Sequence, residues 1–238
     1  MMQKSKPIIE ARGLSRYYYR GIETVKALDG VDLDIYPGEM ISVLGPSGSG
    51  KTTLINLLSC LDVPTSGTLV IDGKSVAGKS EEDLVEVRRG TLGFIFQQFH
   101  LLPTLTVTEN VELPLLFLGR AINREHTMSV LKLVGLEDRA THLPRELSGG
   151  QMQRVAIARG LIIDPKILIA DEPTGNLDRT TGESIFALFR KLVRTEGLTI
   201  IITTHNLAFG YEADRVITLE DGKVVREEQG HEKKVTAS

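Results

Sequence analysis

The run Gly45-Pro46-Ser47-Gly48-Ser49-Gly50-Lys51-Thr52 spaces its glycines, lysine and hydroxyl as the phosphate-cradling P-loop pattern does, with Thr53 next in the chain. The glycines let the backbone curl with its N–H groups turned inward. Lys51 would neutralise β- and γ-phosphate oxygens, and the Thr52 hydroxyl would hold Mg²⁺. Far downstream, Leu147-Ser148-Gly149-Gly150-Gln151 repeats part of that chemistry. It is glycine-rich, carries a hydroxyl and precedes sequence able to form a helix, so its free backbone N–H groups could also face a phosphate. Two anion sites in one small domain either grip different ligands or grip one ligand from opposite sides.

Ile167-Leu168-Ile169-Ala170-Asp171-Glu172 is an apolar run ending in two acids. Open α/β sheets bind their ligands at the C-terminal ends of strands. Asp171 would therefore reach the Mg²⁺ shell, and Glu172 would face the γ-phosphate and orient or deprotonate the attacking water. His205 comes after a second apolar run, Thr199 to Thr203, where its side chain could touch the same phosphate. Alone, the acidic strand end reads equally as structural or as a ligand and a strand-end histidine is ordinarily structural; the glycine loop upstream gives both a ligand role.

These residues need strands that stop at one edge. Met40 to Leu44 reads as a buried strand running into the glycine loop, and Thr53 to Leu61 as the helix after it. Val31 to Ile35 alternates apolar and acidic residues like an exposed antiparallel strand. Thr68 to Ile71 and Gly93 to Phe96 read as strands on either side of a polar helix around Glu81 to Arg89. From Gln97 to Gly160 the pattern is mostly helical, clearest at Thr108 to Leu116, Arg124 to Val134 and Gln151 to Ala158. Strands return at Ile167 to Ala170 and Thr199 to Thr203, with the amphipathic helix Thr181 to Arg194 making a βαβ crossover. Arg215 to Leu219 and Lys223 to Arg226 read as a closing hairpin, and Gln229 to Ser238 as a loosely ordered tail.

Composition narrows the class. The 238 residues are 41% hydrophobic, enough for one α/β domain with a full core. A net charge of -3 supplies no basic field for nucleic acid or anionic lipid, so no nucleic-acid partner is expected. Cys60 is the single cysteine, which excludes an intrachain disulfide and fits a reducing cytoplasm; it reads as a small buried hydrophobe. His100, His126, His142 and His231 lack metal-ligand spacing. The N-terminal residues have no apolar signal region, and no stretch approaches the roughly 20 apolar residues of a membrane helix.

Taken together, residues 8–227 resemble the ATP-binding cassette ATPases. The specific element is Leu147 to Gln151 before Gln153-Arg154-Val155-Ala156-Ile157-Ala158-Arg159, which is similar to the signature motif of that family. The resemblance implies an α/β P-loop NTPase fold with a RecA-like mixed-sheet core, an antiparallel β subdomain and a helical subdomain. Residues 1–228 would form one domain, with the core from 1–96 and 161–228 and the helical signature subdomain at 97–160, before a flexible tail at 229–238. It implies ATP and Mg²⁺ as ligands and hydrolysis with Glu172 as base or water orienter, and with Lys51, Mg²⁺ and a trans Ser148 stabilising the developing charge. Two copies would pack head to tail, each ATP between one copy's P-loop and the other's signature.

Position by position, the resemblance makes Gln97 the hinge glutamine that senses Mg²⁺ and the γ-phosphate. Tyr18, flanked by Tyr17 and Tyr19, would stack on adenine. Ser148 would donate to the opposite γ-phosphate, with the N–H groups of Gly149 and Gly150 assisting and Gln151 completing the motif. Asp178, in Gly175-Asn176-Leu177-Asp178, would lie in the loop through which the two sites communicate. Two departures are minor: Thr52-Thr53 stands for the commoner serine-threonine, and Gly160 replaces the usual alanine at some cost in helix propensity.

The runs Phe96 to Pro103, Glu109 to Leu115 and Asp171 to Asp178 look like the ATPases of lipoprotein-releasing and macrolide-export systems. That likeness implies an integral membrane permease partner and a place on the cytoplasmic face of the inner membrane, touching the bilayer only through the permease. The alternative within the family is a non-transport ATPase of the cell-division type, signalling through a permease-like partner.

Overall fold

The computed structural model describes residues 6–76 and 78–230. Its strands are β1 (Ile9–Arg20), β2 (Glu23–Ile35), β3 (Met40–Leu44), β4 (Ser66–Ile71), β5 (Lys74–Ser75), β6 (Leu92–Ile95), β7 (Ile167–Asp171), β8 (Thr199–Thr203), β9 (Arg215–Glu220) and β10 (Lys223–Gln229). The helices are α1 (Lys51–Leu58), α2 (Glu81–Arg88), α3 (Val107–Phe117), α4 (Arg124–Leu133), α5 (Gly149–Leu161), α6 (Arg179–Glu196) and α7 (Leu207–Gly210).

Two sheets form, an antiparallel one ordered β2-β1-β4-β5 and a mixed one ordered β10-β9-β3-β8-β7-β6. In the mixed sheet β6, β7, β8, β3 and β9 run parallel, and β10 closes it as an antiparallel hairpin. Its central strands are buried on both faces, as continuous apolar runs require. The two-residue period sorts them between two cores. Ile41, Val43, Ile169 and Ile201 face one core with α1 and the antiparallel sheet. Met40, Leu168, Ala170, Ile200 and Ile202 face the other with α6 and the helices of 107–163.

α6 presents Ile185, Phe186, Phe189 and Leu192 at helical spacing to that second core, starts on the Asp178 cap and stops at Gly197 in the left-handed region. It links β7 to β8 as the expected crossover. The helices α3, α4 and α5 pack on one another, and their apolar faces join the same core as the sheet.

Several boundaries differ from the sequence reading, three of them for a plain physical reason. β1 is long, yet three register shifts along its pairing with β2 break the alternation that would have revealed it. The helix after the glycine loop begins at Lys51 and ends at Leu58, because Gly50 caps it and Cys60 leaves helical geometry with φ 56°. Gln229 is no tail residue: it pairs with Arg215 in β10, and the Gly230 N–H reaches Asp214 O at 2.9 Å. The remainder of the expected tail, 231–238, lies outside the described residues.

Candidate active site

β3 delivers the chain into the glycine loop. Gly45 has φ 156°, and a Cβ there would collide with the Leu219 carbonyl and lie 2.5 Å from Ser49 Oγ. Gly50 caps α1 at φ 102°, with a Cβ position overlapping the Ala27 carbonyl. Both positions exclude any side chain. Lys51 is 7% exposed, and its Nζ donates to the Gly45 and Pro46 carbonyls, each at 2.8 Å, so the ammonium sits inside the loop. Thr52 and Thr53 come next, in the first turn of α1.

This loop forms one wall of a cleft of about 570 Å³. Ser47, Gly48 and Lys51 to Thr53 line it on that side, and Glu172 and His205 line it as well. The free N–H groups at the start of α1, the inward ammonium and glycines that leave no room for Cβ suit a polyphosphate.

The acids come from the end of β7. Asp171 stands in register with Thr203 on β8, and Thr203 Oγ1 donates to Asp171 Oδ1 at 2.6 Å. Glu172 turns away from the strand at φ 44°, rare for a residue with a side chain. Its N–H is held by Thr203 Oγ1 at 2.9 Å and by Thr203 O at 3.2 Å. Its Oε2 lies 3.2 Å from His205 Nδ1 and accepts from Gln97 Nε2 at 3.4 Å. A carboxylate oxygen can only accept, so Nδ1 carries the proton in this arrangement.

His205 is itself exposed, but the segment just after it is anchored. Phe209 is 6% exposed and stacks on Phe186 at 4.8 Å, and the buried Ser42 hydroxyl donates to Gly210 O at 2.7 Å. Gln97 is tied from the other side, its carbonyl accepting from Asn176 Nδ2 at 3.1 Å. Neither Asn176 nor Thr203 stands out as a site residue in the sequence, because each contact spans many residues and has no local pattern.

Ser148 caps α5. Its Oγ accepts from the Gln151 N–H at 3.3 Å, while its own N–H donates to Gln151 Oε1 at 2.8 Å. Gly149 and Gly150 open the helix against the start of α6: a Cβ on Gly150 would lie 2.5 Å from Thr181 Cγ2, and one on Gly149 would lie 3.5 Å from Leu177. Asp178 caps α6, accepting from the Thr181 N–H at 3.0 Å and the Thr181 hydroxyl at 2.5 Å. Those bonds, the hydroxyl first, hold its carboxyl below the usual range. The start of α5 thus abuts that of α6, and among the described residues neither Ser148 nor Asp178 lines the cleft that holds Lys51 and Glu172.

Tyr18 pairs in register with Val25, which lines the cleft, so the two side chains share a sheet face. Its hydroxyl donates to Asp62 at 2.9 Å, and the Arg16 guanidinium lies 4.7 Å from its ring centre. Tyr17 instead binds Asp29 at 2.5 Å, and Tyr19 is exposed. Cys60 is fully buried, and burial pushes its thiol up to about 11.

The sequence model of the ABC transporter family matches residues 28–175. The chain is 45% identical over 228 residues to the ABC transporter ATP-binding protein MJ0796 of Methanocaldococcus jannaschii, covering 93% of this chain and 97% of that one. It is 43% identical over 227 residues to the lipoprotein-releasing system ATP-binding protein LolD of Hyphomonas neptunium, covering 94% and 98%. To the macrolide export ATP-binding/permease protein MacB of Shigella flexneri it is 45% identical over 229 residues, 95% of this chain and 35% of that protein. A dimeric structure of MJ0796 matches this fold with a TM-score of 0.84 over 93% of this chain and 98% of that one, at 45% identity. A second MJ0796 dimer, a post-hydrolysis state bound to ADP and Pi, gives the same TM-score at 44% identity and the same coverage.

Proposed function

The chain belongs to the ABC transporter family as an ATP-binding, ATP-hydrolysing protein, and on that basis we propose that it drives a separate membrane permease, in export or in transmitting mechanical force. In this reading it works on the cytoplasmic face of the inner membrane, as one of two copies packed head to tail. What carries the two-copy arrangement is the separation of the signature from the P-loop: Ser148 caps a helix that contributes nothing to the chain's own Lys51 cleft among the described residues. A relative of 45% identity forms dimers. In two facing copies, the Ser148 hydroxyl and the N–H groups of Gly149 and Gly150 of one would close the P-loop cleft of the other, and Asp178 would lie at the seam.

The permease reading is supported by the relatives, one named as the ATP-binding protein of a lipoprotein-releasing system and another for both ATP binding and permease. Among the described residues no helix is long and apolar enough to cross a membrane.

The chemistry assigned to the cleft is attack of water on the γ-phosphorus, with cleavage of the bond to the β-phosphate oxygen and release of ADP and phosphate. Glu172 accepts the water proton, and the N–H donors of His205 and Gln97 fix its carboxylate. Lys51 offsets charge on the phosphate oxygens. Thr52, Asp171 and Gln97 would hold Mg²⁺, an oxygen-seeking ion for which a hydroxyl, a carboxylate and an amide oxygen are fitting donors. When bound there, the ion would supply positive charge against the charge that develops on the phosphates. Tyr18, on the face shared with Val25, would meet the adenine. The test is phosphate release alone and with the reconstituted permease: a rate that the permease raises supports the reading, and one indifferent to every permease with which the chain is co-expressed overturns it.

A further inference from the structure

Thr203 ends a strand whose other residues are three isoleucines and Thr199, and its side chain is completely buried. Valine has the same shape, suits a strand and avoids the cost of burying a hydroxyl. A threonine there is explained only by what its oxygen does. That oxygen accepts the Glu172 N–H at 2.9 Å, so its own proton is free to point elsewhere, and it goes to Asp171 Oδ1 at 2.6 Å. Glu172 N–H, Thr203 hydroxyl and Asp171 carboxylate therefore form one directed chain. A single side chain from β8 fixes both acids at the end of β7, one of them on an unusual backbone conformation.

We propose that Thr203 is a positioning residue for the reaction: its hydroxyl engages one oxygen of Asp171, turns the other toward the divalent cation, and sets the backbone from which Glu172 projects. The inference rests on the metal role of Asp171 and the base role of Glu172 in the proposed function. Loss of the hydroxyl falls mainly on Asp171, because the Glu172 N–H keeps the Thr203 carbonyl at 3.2 Å as a second acceptor. The defect is then chiefly one of metal binding.

The experiment compares the full chain with Thr203→Val and Thr203→Ser. Mn²⁺ bound in the presence of ADP is counted by electron paramagnetic resonance, beside ADP affinity in EDTA and the Mg²⁺ dependence of ATPase rate. Thr203→Val should keep its metal-free ADP affinity while Mn²⁺ binding weakens about tenfold, as expected on removing a partner behind a metal ligand. Thr203→Ser, which restores the hydroxyl, should return to within about twofold of wild type. Wild-type Mn²⁺ affinity in Thr203→Val overturns the proposal, as does a serine variant as impaired as the valine one. Glu172→Gln is assayed in parallel: if it still turns over, the base assignment is at fault, whereas normal metal binding in Thr203→Val beside an inactive Glu172→Gln condemns the positioning role alone.

Discussion

His205 Nδ1 and Glu172 Oε2 lie 3.2 Å apart at the mouth of a cleft whose other wall holds the Lys51 ammonium. A proton acceptor, the donor that orients it and a fixed positive charge thus share one cavity although they come from separate elements. Glu172→Gln keeps the shape and can no longer accept a proton. Its steady-state phosphate release should fall by about 100-fold or more with ATP affinity kept within a few-fold. Phosphate-release kinetics and a nucleotide-binding titration measure the two quantities.

His205→Ala removes one of the donors to Glu172 but leaves Gln97. The turnover rate should drop by about tenfold to 100-fold, with little change in ADP affinity. A parallel fall in ADP affinity would place His205 in ground-state nucleotide binding instead.

Phe209 secures the segment after His205. Phe209→Ala empties a buried aromatic site and should cost about 3 to 5 kcal/mol, lowering Tm by very roughly 6 to 20 °C. Scanning calorimetry checks the stability, and turnover measured well below Tm should also fall because the His205 loop loses its anchor.

Asp178 gives the fold a pH dependence. Its folded-state carboxyl sits below the unfolded value because it accepts from the Thr181 hydroxyl and N–H. The carboxylate therefore contributes stability that is fully present above the ordinary carboxylate range, about pH 4, and is lost as pH falls through the folded value. The Tm gap between wild type and Asp178→Asn, which keeps an acceptor for the helix cap, should be widest near neutral pH and narrow as the pH is taken below the ordinary carboxylate range.

Much of the fold is legible in the sequence because buried parallel strands and glycine loops carry local patterns. Thr199–Thr203 agrees with its sequence reading to the residue, since a strand buried on both faces is a bare apolar run. β1 leaves no such trace, because bulges shift its face three times. In the site, residue types at 45–52, 171, 172 and 205 announce their chemistry. Which of them meet depends on pairings over long separations, such as Thr203 with Asp171 and Asn176 with Gln97, and those arise from sheet register and loop packing.

If the cleft of one copy is completed by the signature of another, ATP must bring two copies together, and a bulky cation at the signature must keep them apart. Sedimentation velocity of Glu172→Gln with ATP, beside the double variant carrying Ser148→Arg as well, separates the possibilities. Glu172→Gln should form an ATP-dependent dimer, and the double variant should stay a monomer that still binds ATP, because the arginine sits where the facing γ-phosphate must be received. An ATP-dependent dimer of equal affinity in the double variant would rule out the shared site.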